Sequence, residues 1–226
     1  MQTQLVIGYG QIGRAISSIL NCDYADIDIT PRFEQYDVLH ICFPYSENFV
    51  SLVNEYKEKY KANLVCIHST VKVGTTSQIE NAVYSPCRGV RPNLEKGIRT
   101  FVKYFAGEKS SEIAQIFVKK GIECLSSNSE RAVESLEAAK LWDTTQYGIN
   151  ILIEKEIFKY CTENKLDFNL VYTMFNETYN RGYDKLDMPQ YKKYILKHVD
   201  GKIGGHCILP NVELLGDDFV DKIFAL

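Results

Sequence analysis

Three glycines near the start of the chain stand at a spacing that can hold a phosphate chain. Residues 5–13 read Leu-Val-Ile-Gly-Tyr-Gly-Gln-Ile-Gly, and the helix-forming run Arg14-Ala-Ile-Ser-Ser-Ile-Leu20 follows. Gly8 permits a tight turn, Gly10 lets backbone approach a pyrophosphate, and Gly13 lets the helix pack closely on the strand. The first N–H groups of the helix then face the phosphates. Gly8, Tyr9, Gly10, Gln11, Ile12 and Gly13 are therefore the expected dinucleotide contacts. An acid at the end of the next strand would bind the ribose hydroxyls. Asp26 and Asp28 both qualify, Asp26 is preferred, and a carboxylate there would repel a 2′-phosphate, which favours NAD over NADP.

The elements that must position these groups alternate. Strand-like runs cover Leu5–Ile7, Asp23–Asp28, Asp37–Phe43, Leu64–His68, Asn81–Tyr84, Phe101–Ala106 and Ile122–Leu125. Helical periods cover Arg14–Leu20, Ser46–Lys61 and Glu112–Lys120, then a long stretch from Ser129 to Asn164 and another over Asp167–Asn180. Too few residues separate Asp26 from Asp37 for a crossover helix and a further strand. The expected fold class is thus α/β: a Rossmann-type, mainly parallel sheet with an abbreviated adenosine side, followed by a small helical domain. The expected domains are 1–127 and 128–226.

The composition fits a globular chain: 226 residues, 45% hydrophobic and 24% charged. A net charge of −3 offers no basic field for nucleic acid. No signal-peptide pattern and no run long enough to span a bilayer occur, so no membrane association and a cytoplasmic location are expected. The seven cysteines are scattered, with no CxxC pair, and neither a disulfide framework nor a metal site is expected.

In order along the chain stand Gly8-Tyr-Gly10-Gln-Ile-Gly13, Asp37-Val-Leu-His-Ile-Cys-Phe43-Pro44, Ser69-Thr70-Val-Lys-Val-Gly74-Thr75-Thr76, Glu137-Ala-Ala-Lys140-Leu141 and Gly204-Gly205-His206-Cys207. With these the chain resembles the sugar-nucleotide 6-dehydrogenases, the UDP-glucose and GDP-mannose dehydrogenase type, in a shortened form lacking their C-terminal nucleotide-binding domain. The resemblance implies an NAD-dependent oxidation of an alcohol of a sugar or sugar-nucleotide. It assigns Cys207 as the thiol that captures an aldehyde, Lys140 as the cation that stabilises oxyanionic charge, and Thr70 to cofactor or a catalytic water, unless Thr70 instead caps a helix over Thr75–Ile79. It places Phe43, Pro44 and Ser69 at the cofactor, and Gly205 and His206 at the substrate. It also implies a homodimer built on the long helix, whose apolar positions include Ala132, Leu136, Leu141, Ile149 and Ile157.

Departures from the pattern are as informative. Ser85-Pro86-Cys87-Arg88 stands where the family has Ser-Pro-Glu, Thr144 replaces an asparagine one turn after the lysine, and Leu209-Pro210-Asn211 replaces Pro-Lys-Asp. Two carboxylates able to serve as general base are missing, which weakens the second oxidation. Thr144 remains a candidate catalytic residue. Arg88 and Arg91 supply guanidiniums for an anionic substrate group, or else are surface arginines paired with Glu95. Tyr179, Asn180 and Tyr183 suit a sugar face or base, or else belong to a helix end at Gly182. A β-hydroxyacid-type dehydrogenase, which needs no cysteine, and a dinucleotide binder without turnover remain as alternatives.

Overall fold

In a computed structural model, residues 2–89, 92–201, 203 and 208–224 are described, save the side chains of Phe219 and Lys222. Seven strands form one sheet: β1 (Gln4–Ile7), β2 (Asp23–Ala25), β3 (Val38–Ile41), β4 (Leu64–Ile67), β5 (Ala82–Tyr84), β6 (Lys103–Ala106) and β7 (Cys124–Ser127). Their order is β2-β1-β3-β4-β5-β6-β7, and every neighbouring pair is parallel except β5 and β6. The expected mainly parallel α/β sheet is present.

Strand alternation splits the core between two faces. Val6, Val38, Cys42, Cys66 and Val83 meet helices α1 (Gln11–Leu20), α3 (Leu94–Thr100) and α4 (Ser110–Val118) through Ile16, Ile98, Ile113 and Phe117. Leu5, Ile7, Leu39, Ile41, Val65 and Ile67 meet Phe49 and Val53 of α2 (Phe49–Lys59) on the other side. The spacing of Ala15, Ile16, Ile19 and Leu20 puts one face of α1 against the sheet. Helix α3 has no counterpart among the elements expected from sequence; seven residues opened by Asn-Leu-Glu carry too short a period to register.

The abbreviated edge is built as expected, although β2 ends at Ala25 rather than reaching Asp28. The chain turns at once: Asp26 and Ile29 exchange backbone hydrogen bonds of 3.1 Å. The Asp23 carboxylate then collects the return. It accepts from the Arg32 N–H at 2.6 Å, from the Tyr24 N–H at 3.1 Å and from the Tyr36 hydroxyl. Together these hold the Asp23 carboxyl below its usual range against the opposing effect of burial. A polar clasp thus takes the place of a crossover helix.

Helix α5 (Ala132–Glu163) is continuous through Gly148, and the chain divides into two compact units within it, Met1–Leu141 and Trp142–Leu226. In the second unit a π-helical stretch, Asn169–Met174, leads into α6 (Phe175–Lys185), which runs on through Gly182 instead of ending there. Helices α7 (Ile208–Leu215) and α8 (Asp218–Phe224) close on α5 at Gly148, where a Cβ would lie 2.6 Å from Ile208 Cγ2 and 2.8 Å from Phe224 Cζ. The extended segment before α7 is tied back by Lys155 Nζ, which donates to the carbonyls of Val199 and Gly201 at 2.7 Å each.

Candidate functional site

The glycine turn sits between β1 and α1, and its three glycines do different work. Gly8 has a φ of 91°, a left-handed value that favours glycine, and a Cβ there would lie 2.8 Å from the Phe43 nitrogen. A Cβ on Gly13 would stand 1.9 Å from the Gly8 carbonyl oxygen. These two glycines bring turn, helix and β3 end together. Gly10 differs: no atom lies within 4 Å of its would-be Cβ. The backbone there faces open space at the N-terminus of α1, whose N-cap carries no side-chain hydrogen bond. The first N–H groups of any helix have no partner within it, and open ground at such a terminus lets an anion approach backbone.

Asp26 stands beside this turn. One carboxylate oxygen accepts from the Tyr9 N–H at 2.7 Å and the other from the Ile27 N–H at 2.8 Å. The carboxylate is exposed, and each oxygen keeps lone-pair capacity for a hydroxyl. The Tyr9 ring stacks on Tyr24 with centroids 3.7 Å apart, and the Arg14 guanidinium lies 5.4 Å from the ring while Nε donates to the Tyr9 carbonyl. Gln11 is exposed, and Ile12 packs partly into the core.

The ends of β3 and β4 complete this edge. Ser69 is buried and its hydroxyl donates to the Phe43 carbonyl at 2.6 Å, which joins the segment bearing Phe43 and Pro44 to the one bearing Thr70. Thr70 is half-buried and does not open the following helical turn, Thr76–Gln78; Thr75 precedes that turn, and its hydroxyl donates to the Lys72 carbonyl.

Glu137, to which the sequence reading gave no role, fixes this loop. Its side chain is fully buried on α5. One carboxylate oxygen accepts from the Gly74 N–H at 2.6 Å and the other from the Thr76 N–H at 2.9 Å. Burial raises the Glu137 carboxyl above its usual range, although these hydrogen bonds oppose the shift. Lys140 follows at i+3 on the same helix and is half-buried.

The other expected residues are placed as follows. The Arg88 guanidinium donates to the Val102 carbonyl at 2.6 Å and lies over the Phe101 and Tyr104 rings at 5.5 and 5.2 Å. Thr144 accepts from the Asn211 amide at 2.8 Å, so two positions that depart from the family pattern bond to each other. Asn180 uses both amide atoms on the Lys193 backbone, accepting from its N–H at 2.7 Å and donating to its carbonyl at 2.9 Å. The Tyr179 and Tyr183 rings pack at 4.8 Å on α6. Arg91, Gly205, His206 and Cys207 lie outside the described residues.

No protein-family model matches the sequence, and no curated protein does. Solved structures do match. The fold resembles that of UDP-sugar dehydrogenases over the whole chain. A UDP-D-ManNAc dehydrogenase from Pyrococcus horikoshii superposes with a TM-score of 0.75 at 15% identity, covering 99% of this chain and 68% of the other. An NDP-N-acetyl-D-galactosaminuronic acid dehydrogenase from Methanosarcina mazei gives 0.67 at 14% identity, covering 99% and 65%. A 3-hydroxyisobutyrate dehydrogenase from Mycobacterium tuberculosis gives 0.54 at 16% identity, covering 74% and 67%. The chain thus spans about two thirds of the length of these proteins. At such identities the likeness is one of fold, and function has to be argued from the site. No helix among the described residues is long and apolar enough to cross a membrane.

Proposed function

We propose that the chain binds NAD at the Gly8–Gly13 turn and oxidises an alcohol of a sugar or sugar-nucleotide. The observation that carries the reading is the contrast among the glycines: Gly8 and Gly13 are packed against backbone while Gly10 is open above the start of α1. Backbone N–H groups of α1 would take the pyrophosphate, and Asp26 the ribose hydroxyls of NAD. When bound, NAD supplies the hydride acceptor. Lys140 would stabilise the developing alkoxide, and Cys207 would capture an aldehyde as a hemithioacetal. Arg88, Arg91, Tyr179, Asn180, Tyr183, Gly205 and His206 are the proposed substrate contacts. We further propose a cytoplasmic homodimer through α5, whose exposed Trp142, Ile153 and Tyr160 are side chains a partner helix could cover.

A second reading, a β-hydroxyacid-type dehydrogenase, is favoured by the resemblance to 3-hydroxyisobutyrate dehydrogenase and by a lysine-bearing helix that needs no cysteine. One experiment separates these readings. Sugar-nucleotides and 3-hydroxyacids are incubated with NAD, NADH is counted per substrate, and the protein mass is recorded. Asparagine at position 211 cannot serve as a base, so one of two outcomes is expected: a single oxidation to the aldehyde, with one NADH per substrate, or a thioester stalled on Cys207 after a second NADH has formed. Turnover of hydroxyacids alone, undisturbed by Cys207→Ala, selects the second reading. NAD binding without turnover across both panels identifies a binder that has lost activity.

A further inference from the structure

Lys103 opens β6 and is only 4% exposed. A buried ammonium is ordinarily paired with a carboxylate, and among the described residues Lys103 forms no ion pair. Its Nζ donates instead to the Ser85 carbonyl at 3.1 Å and to the Pro86 carbonyl at 3.4 Å, and Cys87 Sγ lies 3.7 Å away. The Phe105 and Phe117 rings stand 5.5 and 5.4 Å from it. The hydrogen-bonded His40 and His68 pair ends on the same Ser85 carbonyl, 2.9 Å from His68 Nδ1. Burial drives the His40 imidazole down to about 3 and His68 well below its usual value, so neither ring adds charge beside the ammonium.

The antiparallel joint in the sheet makes this neighbourhood. Strands β5 and β6 run in opposite directions, so Ser85–Cys87, leaving β5, lie against the residue that opens β6. A recess whose lining includes Cys87, Arg88, Phe101 and Lys103 sits beside the pair, with room for about one water-sized molecule. Phe101 is exposed, so the recess meets the surface. Cys42 and Cys66 share the buried cluster with Cys87, but neither is among the residues that line the recess. A small reagent entering it meets one thiol and one amine nitrogen side by side.

We propose that Cys87 and Lys103 form an oxidation-dependent covalent cross-link, a sulfenamide between Sγ and Nζ, made by hydrogen peroxide entering the recess. In the first step the Cys87 sulfur attacks the peroxide O–O bond and keeps one hydroxyl as a sulfenic acid. The other hydroxyl leaves with the thiol proton as water; sulfur is oxidised by two electrons and the peroxide is reduced. In the second step the Lys103 ammonium gives one proton to solvent, and its nitrogen attacks the sulfur. The S–O bond breaks, an S–N bond forms, and the hydroxide leaves as water with a second proton from nitrogen. Condensation of a sulfenic acid with a nearby nitrogen is established chemistry, and an amine already in contact with the sulfur captures it ahead of a second peroxide. The link also removes the cost of a buried, carboxylate-free ammonium, because the product is neutral. It ties β5 to β6 where a single register pair, Tyr84 with Ala106, joins them. The cross-link is independent of the dehydrogenase reading.

The test uses the full chain with Cys22, Cys124 and Cys207 replaced by serine, treated with hydrogen peroxide, quenched with a thiol-alkylating reagent, digested with trypsin and mapped by mass spectrometry. The expected result is a joined pair of peptides carrying Cys87 and Lys103, lighter by two hydrogen atoms than their sum, with no cleavage after Lys103. Dithiothreitol should separate the pair and restore both residues. Lys103→Arg keeps the charge and should yield Cys87 sulfinic acid in place of the link; the mapping of the lysine-bearing protein stands without that variant folding. A joined pair carrying one extra oxygen would keep the cross-link and overturn the direct S–N bond. Cys87 left as a free thiol, Cys87 oxidised to sulfinic acid with Lys103 unmodified, or a disulfide between Cys87 and Cys42 would overturn the proposal.

Discussion

Replacing Glu137 with alanine strips two backbone N–H groups of their acceptor at once. The Thr76 N–H is buried, and leaving it unpaired costs about 1–3 kcal/mol; the Gly74 N–H is reached by water more easily and costs about 0.5–1.5 kcal/mol. Removing a buried carboxylate returns part of this, so a net loss of about 2–3 kcal/mol is expected from urea unfolding followed by circular dichroism. The sign with pH follows from the raised folded-state pKa. Well above it the carboxyl is ionised in both states, and burial of the charge is a constant cost. As pH falls through the folded value toward 4.5, the native state binds more protons than the unfolded one, so this group adds stability, and below 4.5 the gain is complete. Glu137→Gln should abolish that component of the pH slope. A loss under about 0.5 kcal/mol in Glu137→Ala, with a pH slope equal to wild type in Glu137→Gln, would refute the assignment of Glu137 as the anchor of the Thr70–Thr76 loop.

Other expected outcomes are equally specific. Gly148→Ala places a methyl against Ile208 and Phe224 and should destabilise the chain by about 1–3 kcal/mol, read by thermal or urea unfolding. Lys140→Ala should lower turnover by roughly two orders of magnitude while NAD affinity stays near wild type, because its charge matters as the oxyanion develops. Asp26→Ala should weaken NAD more than NADP in equilibrium titrations, since the hydroxyl contacts it removes are specific to NAD.

Much of the first unit can be read along the chain because its signals are local. Leu5–Ile7 is apolar and is followed immediately by the glycine turn, and the short spacing from Asp26 to Asp37 already rules out a crossover helix. The mechanism that replaces that helix is not local: Asp23, Arg32 and Tyr36 meet through tertiary contact. Glu137 escaped for the same reason, since a glutamate on a helix reads as solvated until the loop bearing Gly74 closes on it. Asn180 reads as a sugar ligand by residue type, and its two hydrogen bonds to the Lys193 backbone, 13 residues on, leave no trace in the local sequence.

The central claim is that the open backbone at Gly10 receives a dinucleotide, and isothermal titration of NAD into wild type, Gly10→Val and Gly13→Val tests it most directly. Wild type should bind one NAD per chain. Gly10→Val should fold with an unchanged circular dichroism spectrum and lose NAD binding, because its side chain fills space that is open in the structure, whereas Gly13→Val should lose the fold through collision with the Gly8 carbonyl. Unaltered NAD affinity in a folded Gly10→Val protein, or no NAD binding by wild type, would contradict the account.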